Sequence, residues 1–465
     1  MRSVEFIPFH TRAPVMPRIT RPVAPGLALA ACLLAAPPAA AGPLRSGESP
    51  AELSVATVGD RTLRLTLAPL DETGKPRPGP ASTALVELKP ETKLRVRELA
   101  EAKEVEAGKL RVRVSPNPLT IAVSGPGRTV VQELVVAEAD GSVTFRTAAP
   151  VLGLGEGGAQ SDRRGHLHRV LNGQVSPPQA PLVTHGGTIL SPFLIGTDGW
   201  ALFFHRPFGE FDLRGENGKF VPRRDAVGTE PLEVFVVVPG EPADALAEYH
   251  RLTGKPVMPP KWVLGYMQPH RTLAGPDEPV AIAKTFREKK LPCDAVIYLG
   301  TGYCPAGWNV GHGTFDFNPA TFPKPADTID ALHGLNFRLV LHINRAPRNL
   351  FGASVAEPSD DPAHIGNYWK RHLKLFGLGV DGWWPDDGDE LPVEARLARH
   401  RCYFEGPLSE RPNVRPWSLH RNGYAGVQRY GGWIWSGDVQ SRWATLAAHV
   451  PVGINTSLSL TPFCV

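Results

Sequence analysis

Near residue 241 the hydrophobic patterning of this chain changes period, and that change limits what it can fold into. Residues 62–67 and 109–114 alternate apolar and polar side chains. Residues 130–136 and 232–238 are β-branched runs, and Asp140-Gly141 and Asp198-Gly199 supply turns. Period-two runs at short spacing predict an antiparallel β-sandwich over 42–240. Residues 242–252 have a helical pattern that ends at Gly254, with Pro256, Pro259 and Pro260 following. That is a domain boundary. Beyond it strands alternate with helices. Strands are predicted at 262–268, 294–299, 337–343, 381–384, 415–419 and 432–435, and 452–460 is open to reading as a seventh. Helices are predicted at 279–290, 326–335 and 364–376. Repeated β/α units of this length predict a parallel sheet, most simply a (β/α)8 TIM barrel over 241–465. The expected class is thus a multidomain α and β protein, a sandwich followed by a barrel.

Charge narrows the list of partners. The net charge is only +4 over 465 residues. No basic run carries interleaved aromatics, so nucleic acid is not expected. The tryptophans are more telling, since nine of the ten lie between Trp262 and Trp443. Such rings fill cores and also stack on the C–H faces of sugars. Cys32, Cys293, Cys304, Cys402 and Cys464 fit no zinc spacing, and free buried thiols are expected of those outside the leader.

Residues 1–41 have the pattern of a signal peptide. Arg18 and Arg21 precede an apolar run from Gly26 to Ala36, and Ala39-Ala40-Ala41 is a small-residue cleavage pattern before Gly42. Leu29-Ala30-Ala31-Cys32 also fits a bacterial lipoprotein box, with a lipid anchor at Cys32. Either implies export, to the periplasm or the cell exterior. The rest of the chain has no long uninterrupted apolar segment, so no membrane span is expected.

Two segments carry the chemistry. An aromatic strand ends in carboxylates at Asp381-Gly382-Trp383-Trp384-Pro385-Asp386-Asp387-Gly388-Asp389-Glu390, and a second ends in Trp435-Ser436-Gly437-Asp438. Residues just past the C-terminal ends of barrel strands are where such folds do chemistry. Two acids so placed suit glycosidic bond cleavage, one stabilising or attacking the sugar cation and one moving a proton. The first cluster also fits an acidic surface loop, or a calcium site built from Asp386, Asp387 and Asp389. Gly153, Gly155 and Gly158 fit a dinucleotide fingerprint, but no βαβ unit surrounds them, and a tight turn is the better reading.

Several motifs in order resemble glycoside hydrolase family 31, the retaining α-glycosidases. They are Leu152-Gly153-Leu154-Gly155-Glu156, Pro259-Pro260-Lys261-Trp262, Phe315-Asp316-Phe317-Asn318-Pro319, the Asp381–Asp386 strand, Arg421-Asn422-Gly423-Tyr424-Ala425-Gly426 and Trp435-Ser436-Gly437-Asp438. The resemblance implies Asp386 as nucleophile and Asp438 as general acid and base, with no metal and no cofactor. It places Arg421, Trp435, Trp384 and Gly300 around the sugar of a small glycoside or oligosaccharide. Many members carry Asp at the positions of Gly300 and Gly302, so the sugar is left open. The resemblance further implies an incomplete barrel, lacking its closing segment and the C-terminal β domains. The expected function is hydrolysis of α-O-glycosidic bonds. The alternative is an inactive, truncated chain that retains carbohydrate binding.

Overall fold

A computed structural model describes residues 42–459 apart from 128, 157–158, 171–188, 190, 271–273, 299, 301–306, 345–349, 353, 389 and 438. The expectations on the 1–41 leader, Cys32, Gly158, Gly302, Cys304, Asp389, Asp438 and Cys464 therefore lie outside the described residues.

The first half consists of antiparallel strands in two large sheets. Along Leu110–Ser115 buried and more exposed residues alternate, as expected of strands with one face in a core. One sheet contributes Val112, Ile121 and Phe145 and the other Leu53, Leu65 and Phe204 to a single apolar cluster. Phe204 touches Phe145, Phe211 and Phe220 across that core. The strand Trp200–Arg206 is buried along its whole length. Its other face is covered by helix α1 (Pro242–Thr253), whose Tyr249 stacks on Phe193 at 4.1 Å and meets Phe203 edge-on. A capping box between Glu241 and Asp244 starts α1, and Gly254 ends it at φ 97°.

The second half is a six-stranded, wholly parallel sheet in sequential order. Its strands are β1 (Met267–His270), β2 (Ala295–Tyr298), β3 (Arg338–Ile343), β4 (Gly382–Pro385), β5 (Ser418–His420) and β6 (Gly432–Ile434). Helices α2 (Asp277–Glu288), α3 (Pro325–Gly334), α4 (Ile365–Lys370), α5 (Leu373–Gly377) and α6 (Val393–Glu410) fill the crossovers. Side chains alternate between two apolar clusters. Val296, Leu339, Leu341, Ile343 and Trp383 pack toward the helices. Ala295, Ile297, Val340, Leu419 and Trp433 face the other way, with Trp384 and Trp435 half-buried beside them. Both faces are covered, which explains the nearly continuous apolar runs of these strands.

Three local expectations are corrected, and one helix is added to them. Residues 261–264 form a 3-10 turn, so β1 starts only at Met267. The predicted 364–376 helix is two short helices, α4 and α5. The 18-residue α6 was not predicted. Residues 452–459 of the proposed seventh strand lie in helix α7 (Trp443–Ser459). Its buried residues Thr445, Ala448, Val452, Asn455, Thr456 and Ser459 recur every three or four positions, a helical and not a two-residue period. The Thr456 hydroxyl donates to the Val452 carbonyl, giving that β-branched residue a helical partner.

The two halves share contacts that brace the later strands. The Gln428 amide donates to Thr253 Oγ1 and the Gly254 carbonyl, each at 2.8 Å. Tyr424, Ala425 and Val427 belong to the first half's core. From α7, Asn455 Oδ1 accepts from Gly153 N–H at 2.7 Å and Ser459 Oγ from Gly155 N–H at 2.6 Å. Gly153 and Gly155 both have positive φ, so they make a tight turn, and the buried Arg163 guanidinium donates to their carbonyls. Among the described residues no helix is long and apolar enough to cross a membrane.

Candidate active site

Strand register assembles the site. In the parallel pair β3/β4, His342 lies opposite Trp384 and Ile343 opposite Pro385. Asp386 extends the ladder, its N–H donating to the Ile343 carbonyl at 2.9 Å. Side chains two residues apart share a face, so His342, Trp384 and Asp386 all point to one side. The same parity carries Arg421 onto the face of Leu419, and Trp435 onto that of Trp433. All emerge at the C-terminal ends of the strands.

Asp386 is buried, with 5% exposure. Its Oδ2 lies 2.9 Å from His342 Nε2, and its Oδ1 accepts from Asp387 N–H at 2.7 Å and stands 3.6 Å from Arg421 Nη1. Burial pushes this carboxyl up, but the hydrogen bond from His342, the Asp387 N–H and the Arg421 charge outweigh it. The result is a carboxyl held below its ordinary range, ionised throughout the neutral region. Asp387 shifts the other way, raised by its own burial and by the Asp386 charge.

The aromatic walls meet edge-on. Trp384 and Trp435 lie 5.1 Å apart at 89°, and His342 meets Trp384 at 4.8 Å. The Arg421 guanidinium lies 5.7 Å from the Trp435 ring. Behind the acid, α6 holds the loop. The buried Arg399 donates Nη2–H to the Asp386 carbonyl at 2.6 Å and Nη1–H to the Asp387 carbonyl at 2.7 Å. Asn422 Nδ2 donates to the same Asp387 carbonyl at 2.7 Å. These contacts maintain Asp387 at φ 56°, an uncommon conformation for a residue other than glycine. The Trp435-Ser436-Gly437 segment is tied to α7 through His449 Nε2 and Ser436 Oγ, 2.8 Å apart.

The structure thus brings Asp386, Arg421, Trp384 and Trp435 together. Gly300 joins them through its backbone: its N–H points to His342 Nδ1 at 3.4 Å. A side chain at 300 would begin 2.8 Å from Asn309 Oδ1, so Asn309 fills that space. Asp438 lies outside the described residues. Asp381, from the same acidic motif, sits at the opposite end of β4, bound to His333 at 2.8 Å and to Leu339 N–H at 2.9 Å, and is structural. His342 and Arg399 were missed. A signal for His342 existed: it is a lone imidazole in the apolar run Leu339-Val340-Leu341-His342-Ile343, one residue before the strand's end. Among the described residues no group of three His, Cys, Asp or Glu side chains could hold a metal ion. Cys293 and Cys402 are free and buried.

Residues 256–355 and 353–465 match the glycosyl hydrolases family 31 TIM-barrel domain. The chain is 26% identical over 310 residues to an alpha-xylosidase of Saccharolobus solfataricus, spanning 58% of this chain and 41% of that one. It is 25% identical over 380 residues to Alpha-glucosidase 2 of Bacillus thermoamyloliquefaciens, spanning 67% and 46%. A GH31 alpha-xylosidase from a soil metagenome, solved with xylose, has a TM-score of 0.69 at 18% identity, over 88% of this chain and 68% of that one. A variant of a Flavobacterium johnsoniae GH31 dextranase, solved with isomaltotriose, gives 0.71 at 20% identity, over 88% and 57%. These two likenesses show the fold. The chain spans less than half the length of the two curated relatives.

Proposed function

Because the chain belongs to glycoside hydrolase family 31, we propose that it hydrolyses α-linked glycosides or oligosaccharides by a retaining double displacement. We read the antiparallel half, 42–240, as a β-sandwich, and the six parallel strands as part of a (β/α)8 barrel carrying the site. Export by a leader within 1–41, with Cys32 as the alternative point of lipid attachment, belongs to the same proposal.

The observation that carries this reading is Asp386: a buried carboxylate just past a parallel strand, held ionised by its neighbours and faced by Arg421 and two tryptophans. An ionised, desolvated carboxylate is the form that attacks. In the first step an Asp386 oxygen bonds the anomeric carbon as the bond to the leaving oxygen breaks. Asp438, protonated, gives its proton to that oxygen. In the second step water attacks the same carbon, Asp438 takes the water's proton, and the bond to Asp386 breaks. Arg421 would hold a sugar hydroxyl, and Trp435 and Trp384 would wall the ring. Gly300 brings no side-chain charge to the sugar, which leaves xylosides, glucosides and galactosides all to be tried.

The test is hydrolysis of aryl α-glucoside, α-xyloside and α-galactoside by the 42–465 chain, with Asp386→Asn beside it. Release by the wild type and not by the variant supports the reading. Equal release by both refutes Asp386 as nucleophile. Binding of the sugars without release by either favours an inactive carbohydrate-binding chain.

A further inference from the structure

We infer that His342 is a positioning residue for Asp386, one that aims an N–H at the carboxylate and favours its departure as a leaving group in the second step. The inference rests on the reading of Asp386 as nucleophile. Three observations carry it. His342 Nε2 lies 2.9 Å from Asp386 Oδ2, and both side chains are almost fully buried. The Gly300 N–H is directed at Nδ1, which makes Nδ1 the acceptor and leaves the N–H on Nε2, pointing to the carboxylate. The ring is pinned edge-on against Trp384, its neighbour in register, and its backbone carbonyl accepts from Trp308 Nε1 at 3.1 Å. A side-chain amide or hydroxyl in a less ordered segment would not be fixed this way.

The chemistry makes the two steps unequal. When Asp386 attacks, its negative charge is consumed in the ester bond to the anomeric carbon, and a donor on the carboxylate resists that change. When water attacks, the ester C–O bond breaks and its electron pair returns to Asp386. A donor already aimed at Oδ2 stabilises the returning charge without reorganisation. Among the described residues the other charged groups around this carboxyl are Arg421 and Asp387, with Arg399 and Glu390 behind Asp387. Arg421 stands at 3.6 Å from the other oxygen, Oδ1.

The test compares His342→Phe, which keeps a flat ring without a donor, with His342→Gln, which returns an N–H near the Nε2 position. With an activated aryl α-glycoside, kcat of His342→Phe is expected to fall about 10- to 100-fold, the loss of a hydrogen bond to a charged group. KM should fall with it, and a stoichiometric burst of aryl alcohol should mark accumulation of the glycosyl-enzyme. His342→Gln should regain most of kcat and lose the burst. A fall in kcat at unchanged KM, with no burst and no recovery in His342→Gln, would overturn the inference and leave His342 a packing residue. A readout independent of turnover is the infrared titration of the Asp386 carboxylate, taken as the difference between the chain and its Asp386→Asn variant. Its midpoint should move up in His342→Phe and return in His342→Gln; an unmoved midpoint overturns the inference. Full activity in Asp386→Asn would instead sink the assignment of the nucleophile, a separate failure.

Discussion

Acidification should destabilise this chain through a histidine that never touches substrate. His372 is fully buried beneath β4, stacked on Trp369 at 5.2 Å and edge-on to Trp383 at 4.9 Å. Its Nδ1–H donates to the Tyr368 carbonyl at 3.0 Å, so Nε2 accepts from the Tyr403 hydroxyl at 3.0 Å. Burial pushes its value down from 6.5 to about 3. A folded value below the unfolded one means that the unfolded chain binds more protons, so stability falls as pH falls from about 6.5 toward 3. At pH 5 the folded ring is still neutral while the unfolded ring is charged. About 1.5 pH units at roughly 1.4 kcal/mol each come to about 2 kcal/mol lost between pH 7 and pH 5 from this residue. Urea unfolding of the wild type and of His372→Gln at both pH values isolates it. The wild type should lose about 2 kcal/mol more than the variant. Equal losses in the two chains would refute the argument that the ring is held neutral by burial.

Three further outcomes follow from the geometry. Arg399→Met should cost about 2–4 kcal/mol in urea unfolding and lower kcat, because it removes both guanidinium donors to the Asp386 and Asp387 carbonyls; an unchanged kcat would mean the loop holds its shape without them. Gly406→Ala in α6 would place a methyl 2.2 Å from the Trp369 ring, so it should lose about 1–3 kcal/mol despite alanine's better helix propensity. A gain in stability there would contradict the close packing of α4 on α6. The lowered value of Asp386 predicts that the acidic limb of kcat/KM lies below the ordinary carboxylate range, activity being lost as pH falls through it; a limb above pH 5 would argue against Asp386 as the group that must be ionised.

Much of the fold was legible because it repeats short-range patterns. Alternation in 109–114 and the stop at Gly254 depend on neighbours along the chain, and both are found. Asp386 was legible too, since a carboxylate directly after an apolar strand is a local feature. His342 was not, because its contact depends on the β3/β4 register across 44 residues. Helix α7 was misread for a related reason. Val452 and Thr456 suit a strand by propensity, while the burial of one helical face, including Asn455 and Ser459 gripping a loop some 300 residues earlier, decided the outcome. Asp381 shows the converse: adjacency to the site in sequence placed it at the wrong end of the strand to take part.

The central claim is that Asp386 bonds the anomeric carbon. Incubating the 42–465 chain with 5-fluoro-α-glucosyl fluoride and 5-fluoro-α-xylosyl fluoride, then mapping the labelled peptide by mass spectrometry, tests it directly. The account predicts one sugar adduct per chain, on Asp386 and absent from Asp386→Asn. A stable adduct on any other carboxylate, Asp387 or Asp438 included, would contradict it.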